Sequence, residues 1–293
     1  MASWEGKSKG TQTGYRIFVW VLRRLGVGAA YFLLRFVSFY YYLTSWKTSG
    51  AILDFYRQGL GFGRIRALGL LYQNYYQLGQ TLIDKVAVMA GLANHYTSAS
   101  EGEEHLAGMV SGGRGGILLS AHVGNWEVAG HFLKKLDRRI NLVMFDGEHQ
   151  AIKAYLGSVT GGRSFHVIVI RPDNAHIFEI ANALANNELI CMHADRYIQG
   201  AKTLTTPFLG RPAAFPEGPF LLGAKLRAPV SFVFALKASD THYRFSATPP
   251  FDLARETAKK PEALLREYVI ELEKKVRQYP NQWFNYFPFW DTN

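Results

Sequence analysis

The sequence predicts an α/β fold, a mostly parallel sheet flanked by helices, behind an N-terminal helical region. Short apolar runs at 117–121, 140–145, 167–170, 189–193 and 230–236 alternate with helix-like stretches at about 126–136, 148–158, 174–186 and 217–226. Strands joined through helices run parallel and carry those helices on the faces of their sheet. The first third lacks this alternation and reads as helix, broken at Gly59-Leu60-Gly61-Phe62-Gly63. Near the other end, Leu264, Tyr268, Leu272 and Val276 recur every four residues behind Pro261, which suits a first helical turn, and predict an amphipathic helix from Pro261 to Tyr279.

With 293 residues, 48% of them hydrophobic, the chain can bury one large core or two small ones. We divide it into a helical, membrane-associating region, 1–96, and one integrated α/β core, 97–293. Cys191 is the single cysteine, which excludes a disulfide framework and any cysteine-based zinc site and suits a reducing compartment. The net charge of +10 favours polyanions, anionic lipid or acidic partners. Nucleic acid is not the expected partner, because the chain has no zinc-finger spacing, RNA-binding signature or base-reading basic helix. The charge accompanies 14% aromatic residues, and a membrane surface fits both.

Between Leu25 and Trp46 the only charge is Arg35, and the run has about the length of a bilayer crossing. Arg35 lies centrally, where a charge is costly in lipid. Arg23, Arg24 and Lys47 flank the run, while Tyr40, Tyr41, Tyr42 and Trp46 supply rings that prefer an interface. The pattern predicts a membrane-embedded or interfacial helix rather than a firm span. Its alternative is a hydrophobic hairpin docked on the protein's own core. A secretory signal is not expected, since no small-residue cleavage site follows. Beyond the glycine break, a longer helix is expected from about Arg64 to Leu92, ahead of a turn at Gly112-Gly113-Arg114-Gly115-Gly116.

The apolar run Ile117–Ala121 then delivers His122-Val123-Gly124-Asn125-Trp126-Glu127. Five positions along one helix turn through about 500°, so His122 and Glu127 would face different ways if both were helical. They can meet only if His122 ends the strand and the chain turns at Gly124 and Asn125, residues that permit a turn. A carboxylate beside an imidazole fixes its tautomer and stabilises its cation, so the histidine can take a proton. Without chemistry, the same pattern is a strand-end histidine bonded to a helix-capping carboxylate.

The His122–Glu127 segment, preceded by Ser120-Ala121, closely resembles the His-x-Gly-Asn-Trp-Glu motif of bacterial lipid A late acyltransferases, a branch of the lysophospholipid acyltransferase superfamily. A second match supports it. In that family a strand ends in an aspartate, followed by a glycine-containing loop, Phe-Phe-Gly and an alanine-rich helix entry. The counterparts are Asp195, Gly200, Phe208-Leu209-Gly210 and Ala213-Ala214. Gln282-Trp283 resembles the family's C-terminal Gln-Trp, although Asn285, Tyr286, Phe287 and Pro288 stand where histidines and arginines often follow. The resemblance covers roughly residues 110–290; the N-terminal helices agree only in general character.

The resemblance implies a membrane-associated O-acyltransferase that moves a fatty acyl group from a thioester carrier, acyl carrier protein or coenzyme A, to a lipid-like acceptor. His122 would be the general base and Glu127 its carboxylate partner. Asp195 would help hold the site together, and Arg171, at the end of 167–170, would grip a phosphate or the oxyanion. Gly124 and Asn125 join these as substrate-side residues, with the backbone near Gly124 a candidate oxyanion donor. Arg163 competes for the place of Arg171, which could equally be a surface arginine capping a turn. Phe215-Pro216-Glu217-Gly218 matches a phosphate motif of glycerolipid acyltransferases, but Glu217 is also well placed to start a helix. The absence of a Gly-x-Ser-x-Gly elbow sets aside a serine hydrolase, and no cofactor and no metal are expected, there being no phosphate loop and no His-Glu-x-x-His helix. Expected partners are membrane lipids and acyl carrier protein, at the cytoplasmic face of a bacterial inner membrane. The rival readings are an inert basic protein that binds anionic lipid, and an N-acyltransferase acting on an amino-lipid.

Overall fold

The computed structural model describes residues 12–89, 92, 95–126, 128, 136–145, 165–198, 200–251 and 260–290. Helix α1 (Gln12–Thr44), with a kink at Gly26, leads through α2 (Trp46–Asp54) and a π turn (Phe55–Gly59) into α3 (Arg64–Met89). Leu22, Val27, Ala30, Tyr31 and Leu34 of α1 pack with Ile83 and Ala87 of α3. Gly79 makes the crossing close, since a Cβ there would lie 2.3 Å from the Leu34 side chain. The other face of α1 leaves Phe32, Phe36, Phe39, Tyr40 and Leu43 exposed. The helix is thus docked on α3 along one face and carries exposed aromatic side chains along the other. Among the described residues no helix is long and apolar enough to cross a membrane.

Strand β1 (Thr97–Glu101) and helix α4 (Glu103–Ser111) follow, then β2 (Gly116–Ser120), β3 (Ile140–Phe145), β4 (Phe165–Ile170), α5 (Ala175–Ala185) and β5 (Leu189–His193). A hairpin of β6 (Thr203–Phe208) and β7 (Arg211–Pro216) precedes α6 (Glu217–Leu226), β8 (Val230–Lys237), β9 (His242–Ala247) and α7 (Pro261–Gln278). The main sheet has seven strands in the order β1-β9-β8-β2-β5-β3-β4. All its pairings are parallel except β8 with β9. The predicted α/β class is therefore the observed one.

Strand β9 lies inside the sheet, because β1 pairs along it from Thr97↔His242 to Glu101↔Ser246. One expectation is corrected. Ala213 and Ala214 do not open a helix; they pair with Thr206 and Thr205 in the β6–β7 hairpin, and the helix starts at Glu217. The expected helix at 148–158 lies outside the described residues, as does most of 126–136, where Trp126 and Val128 are helical.

One apolar cluster joins α2, the π turn and α3 to the sheet, whereas α1 packs in a separate cluster against α3. Phe55, Tyr56 and Leu71 share a cluster with Ile117, Leu119, Ile190 and Phe234, and the C-terminal Trp283, Phe289 and Trp290 complete it. The aromatic tail is held by α3 as well: Asn74 Nδ2 donates to Trp283 O at 3.0 Å, and Tyr286 donates its hydroxyl to Asn74 Oδ1 at 2.8 Å. These contacts bring the tail beneath the carboxyl ends of β2 and β5, where open α/β sheets place reactive groups.

Candidate active site

Strands β2 and β5 are neighbours with Ser120 opposite His193, so the residues just beyond them, His122 and Asp195, come together. His122 Nδ1 lies 2.7 Å from Asp195 Oδ1, and the His122 backbone N–H donates to Asp195 Oδ2 at 2.9 Å. The Trp283 indole N–H reaches the same Oδ2 at 3.4 Å. Asp195 is 1% exposed. Burial alone would raise its carboxyl, but the adjacent His122, its hydrogen bond and the Arg196 guanidinium outweigh that and hold it well below the usual carboxylate range. An ionised carboxylate only accepts, so the His122 proton belongs on Nδ1 and Nε2 keeps its lone pair. The His122 side chain is 20% exposed, enough for a substrate atom to meet that nitrogen.

The turn behind His122 is bound on every side. Phe284 N–H donates to His122 O, Gly124 N–H to Gln282 O at 2.9 Å, and Asn125 N–H to Ala235 O at 2.8 Å. Gly124 has φ +75°, and a Cβ there would fall 2.1 Å from Ala235 O, so only glycine lets β8 approach so closely. Asn125 is buried; its amide donates to Thr81 O and the Tyr243 hydroxyl, and its Oδ1 accepts Val128 N–H. The amides of Gly124 and Asn125 are therefore spent inside the protein, which removes them as oxyanion donors in this arrangement. The end of β2 is also held, since the Tyr268 hydroxyl of α7 donates to Ser120 O at 2.9 Å.

His193 lies against His122, with ring centroids 4.3 Å apart, and Trp126 meets it edge-on at 5.5 Å. Burial and the nearby His122 push the His193 imidazole well below its ordinary value, which keeps it neutral. Donor atoms of His122, His193 and Asp195 lie within 4.8 Å of one another, loosely enough to suggest a metal. Both Asp195 oxygens already accept N–H donors, however, so His122 and Asp195 fit a hydrogen-bonded pair better than a cation cage. His193 packs against that pair, its Nδ1 buried without a hydrogen-bond partner among the described residues.

Glu127 and Arg163 lie outside the described residues. Arg171 is not brought to His122. It follows β4 at the far edge, with β5 and β3 between β4 and β2. Three strand spacings amount to roughly 14 Å. Its guanidinium is half exposed and 3.4 Å from Glu179. Sequence reasoning did not place Trp283, Tyr268 or His193 at the site; only the Gln282-Trp283 resemblance pointed to one of them.

Residues 69–292 match the family described as bacterial lipid A biosynthesis acyltransferase. The match begins within α3, earlier than the motifs alone indicate, and takes in His122, Asp195 and Trp283. The chain is also 25% identical over 138 residues to phosphatidylinositol mannoside acyltransferase of Mycobacterium tuberculosis strain ATCC 25618 / H37Rv, with 47% of this chain and 43% of that protein covered. The same figures hold for its counterpart in strain CDC 1551 / Oshkosh. The chain thus spans less than half the length of the curated relatives it matches.

Proposed function

The chain belongs to the bacterial lipid A biosynthesis acyltransferase family, and from that premise we propose that it transfers a fatty acyl group from a thioester to a hydroxyl of a membrane glycolipid. One observation carries the reading: His122 Nδ1 is 2.7 Å from a buried, ionised Asp195, which leaves Nε2 to act as base. In the proposed step Nε2 takes the acceptor's hydroxyl proton as its oxygen attacks the thioester carbonyl. The tetrahedral oxyanion collapses, the C–S bond breaks, and the leaving thiolate takes from the imidazolium the proton that the acceptor hydroxyl gave up. Asp195 holds the ring in register and balances its charge, as Glu127 would from the other end of the motif. The donor is an acyl chain on acyl carrier protein or coenzyme A. Family membership suggests a lipid A-type acceptor, and the relatives' name suggests a mannosylated phosphatidylinositol; both offer a sugar hydroxyl on a lipid anchor.

The proposed location is the cytoplasmic face of the inner membrane, with α1 lying in the interface. Phe32, Phe36 and Phe39 are 61%, 62% and 53% exposed on a chain of net charge +10. An apolar stripe beside arginines is the pattern of an interfacial helix. Changing all three to Ser should weaken binding to anionic vesicles at least tenfold, since burying each ring is worth about 1.5–3 kcal/mol. The thermal midpoint should hold, because these rings touch little of the core. Deleting 1–46 is a poorer test, because it would strip Leu22, Val27, Ala30 and Tyr31 from the face of α3.

Arg171 is proposed to hold a phosphate at the far end of a long substrate rather than the oxyanion. Arg171→Ala should then raise KM several-fold and leave kcat nearly unchanged, as loss of uniform binding does. A fall in kcat at constant KM would place it at the reacting carbonyl instead.

The whole reading is tested by incubating the purified protein, in anionic vesicles carrying a glycolipid acceptor, with acyl carrier protein or coenzyme A thioesters. Mass spectrometry should find an acceptor heavier by one acyl group in ester linkage. An amide-linked product would favour the N-acyltransferase reading. Vesicle binding without consumption of any donor would leave only a basic lipid-binding protein.

A further inference from the structure

Behind the catalytic turn lies a buried ion pair that the chemistry above does not use. Asp84 of α3 and Lys237 at the end of β8 are 0% and 4% exposed, with Lys237 Nζ 2.5 Å from Asp84 Oδ2. Lys237 also donates to the Tyr31 hydroxyl at 2.9 Å and to Asp240 O at 2.8 Å, which satisfies all three of its N–H bonds. Asp84 accepts the hydroxyls of Tyr31 and Tyr96 on Oδ1 and that of Tyr243 on Oδ2. The three tyrosine rings stand 4.9–5.4 Å from the ammonium, within cation–π range.

A pair needed only for stability could end there. This one continues along two routes to the two halves of the catalytic pair. In the first, Asn125 Nδ2 donates to the Tyr243 hydroxyl at 3.2 Å, and that hydroxyl donates to Asp84. Asn125 closes the turn that begins at His122. In the second, the Gln282 side chain clamps the Lys237 peptide, accepting its N–H at 2.9 Å and donating to its C=O at 2.7 Å. Gln282 O accepts the Gly124 N–H, and the next residue, Trp283, bonds Asp195. Tyr31 adds α1, the helix with the exposed aromatic stripe, to the same cluster.

We propose that Asp84, Lys237, Tyr31 and Tyr243 form a positioning device that joins α1 to the catalytic turn, with the Tyr243 hydroxyl as the positioning group for His122 and Tyr96 off both routes. The proposal rests on His122 acting as the base. Bonds in such a chain polarise and orient one another, so removing one link loosens the next.

The test compares two substitutions that each remove one hydroxyl from Asp84. Tyr243→Phe cuts the link to Asn125, whereas Tyr96→Phe leaves it. With acyl thioester and a glycolipid acceptor in vesicles, Tyr243→Phe should lower kcat about tenfold at unchanged KM, and Tyr96→Phe should leave both near wild type. Thermal midpoints should fall by similar amounts. Equal kinetics in the two variants, or losses that track the thermal midpoints, would overturn the proposal and leave a structural ion pair. A second readout does not depend on turnover: the rate of His122 carbethoxylation by diethyl pyrocarbonate, followed by mass spectrometry of its peptide. Tyr243→Phe should change that rate several-fold and Tyr96→Phe should not. If wild type transfers no acyl group, the enzymatic reading fails, and the labelling comparison still decides whether the cluster positions His122.

Discussion

Acyl transfer by the His122→Ala protein is expected to fall about 10²–10⁴-fold, the usual worth of a positioned general base, with vesicle binding close to wild type. The side chain is partly exposed, so its loss leaves little of the core unpacked, but buried Asp195 loses its Nδ1 donor and the thermal midpoint should fall modestly. Asp195→Asn should be nearly as damaging, for a different reason. Asp195 accepts three N–H donors: two from His122 and the Trp283 indole. An amide of the same shape offers one oxygen and turns an N–H₂ group toward the rest. With that oxygen kept toward the two donors of Oδ2, the N–H₂ faces Nδ1 and drives the imidazole toward the tautomer with its proton on Nε2, which cannot take another. Acid should show the same carboxylate. Its folded value is depressed, so its contribution is present above the unfolded carboxylate value of about 3.9 and is lost as pH falls below that toward the folded value. The Asn protein should lack that part of the acid transition. Steady-state rates of the two variants beside Glu127→Gln decide which acid serves the histidine. Wild-type turnover in Asp195→Asn, with loss in Glu127→Gln, would transfer the orienting role to Glu127.

The comparison of these acids shows what a sequence can display. Glu127 is conspicuous because it is five residues from His122. Asp195 is 73 residues away, and the two meet only because β5 is inserted beside β2, a pairing that no local pattern encodes. Runs of apolar residues did reveal the central strands, because a strand buried on both faces has no polar side to disguise it. Thus Ile140–Phe145 and Leu189–His193 stand where their hydrophobicity puts them. Strand β1, Thr97-Ser98-Ala99-Ser100-Glu101, is exposed throughout and is a strand only because β9 offers it an edge. The β6–β7 hairpin carries Pro207, Pro212 and Pro216, which argue against strands, and turns at Leu209-Gly210, both at positive φ, without the usual Asn-Gly signal. The charged core was equally hidden. Asp84 and Lys237 look like surface residues of a basic protein until α3 is seen lying against the end of β8.

That pair should produce the largest loss of stability of any single substitution considered. Asp84→Ala leaves the Lys237 ammonium buried among aromatic rings, with the hydroxyls of Tyr31, Tyr96 and Tyr243 deprived of their acceptor. Burial alone pushes these three phenols up, so they remain donors at neutral pH and cannot replace the missing anion. Breaking a buried ion pair from one side typically destabilises by about 3–5 kcal/mol. On a chain of this size that is a drop of roughly 10 °C in the unfolding midpoint. Lys237→Met should lose a comparable amount, because it strands the carboxylate, although Asp84 keeps its tyrosine donors. The double variant Asp84→Ala with Lys237→Met should recover part of either loss, since no uncompensated charge remains. Thermal or urea unfolding of the singles and the double measures this as a coupling energy. A double variant that loses the sum of the singles would mean that the two charges do not interact, and the tyrosine hydroxyls rather than the ion pair would then hold α1, α3 and β8 together.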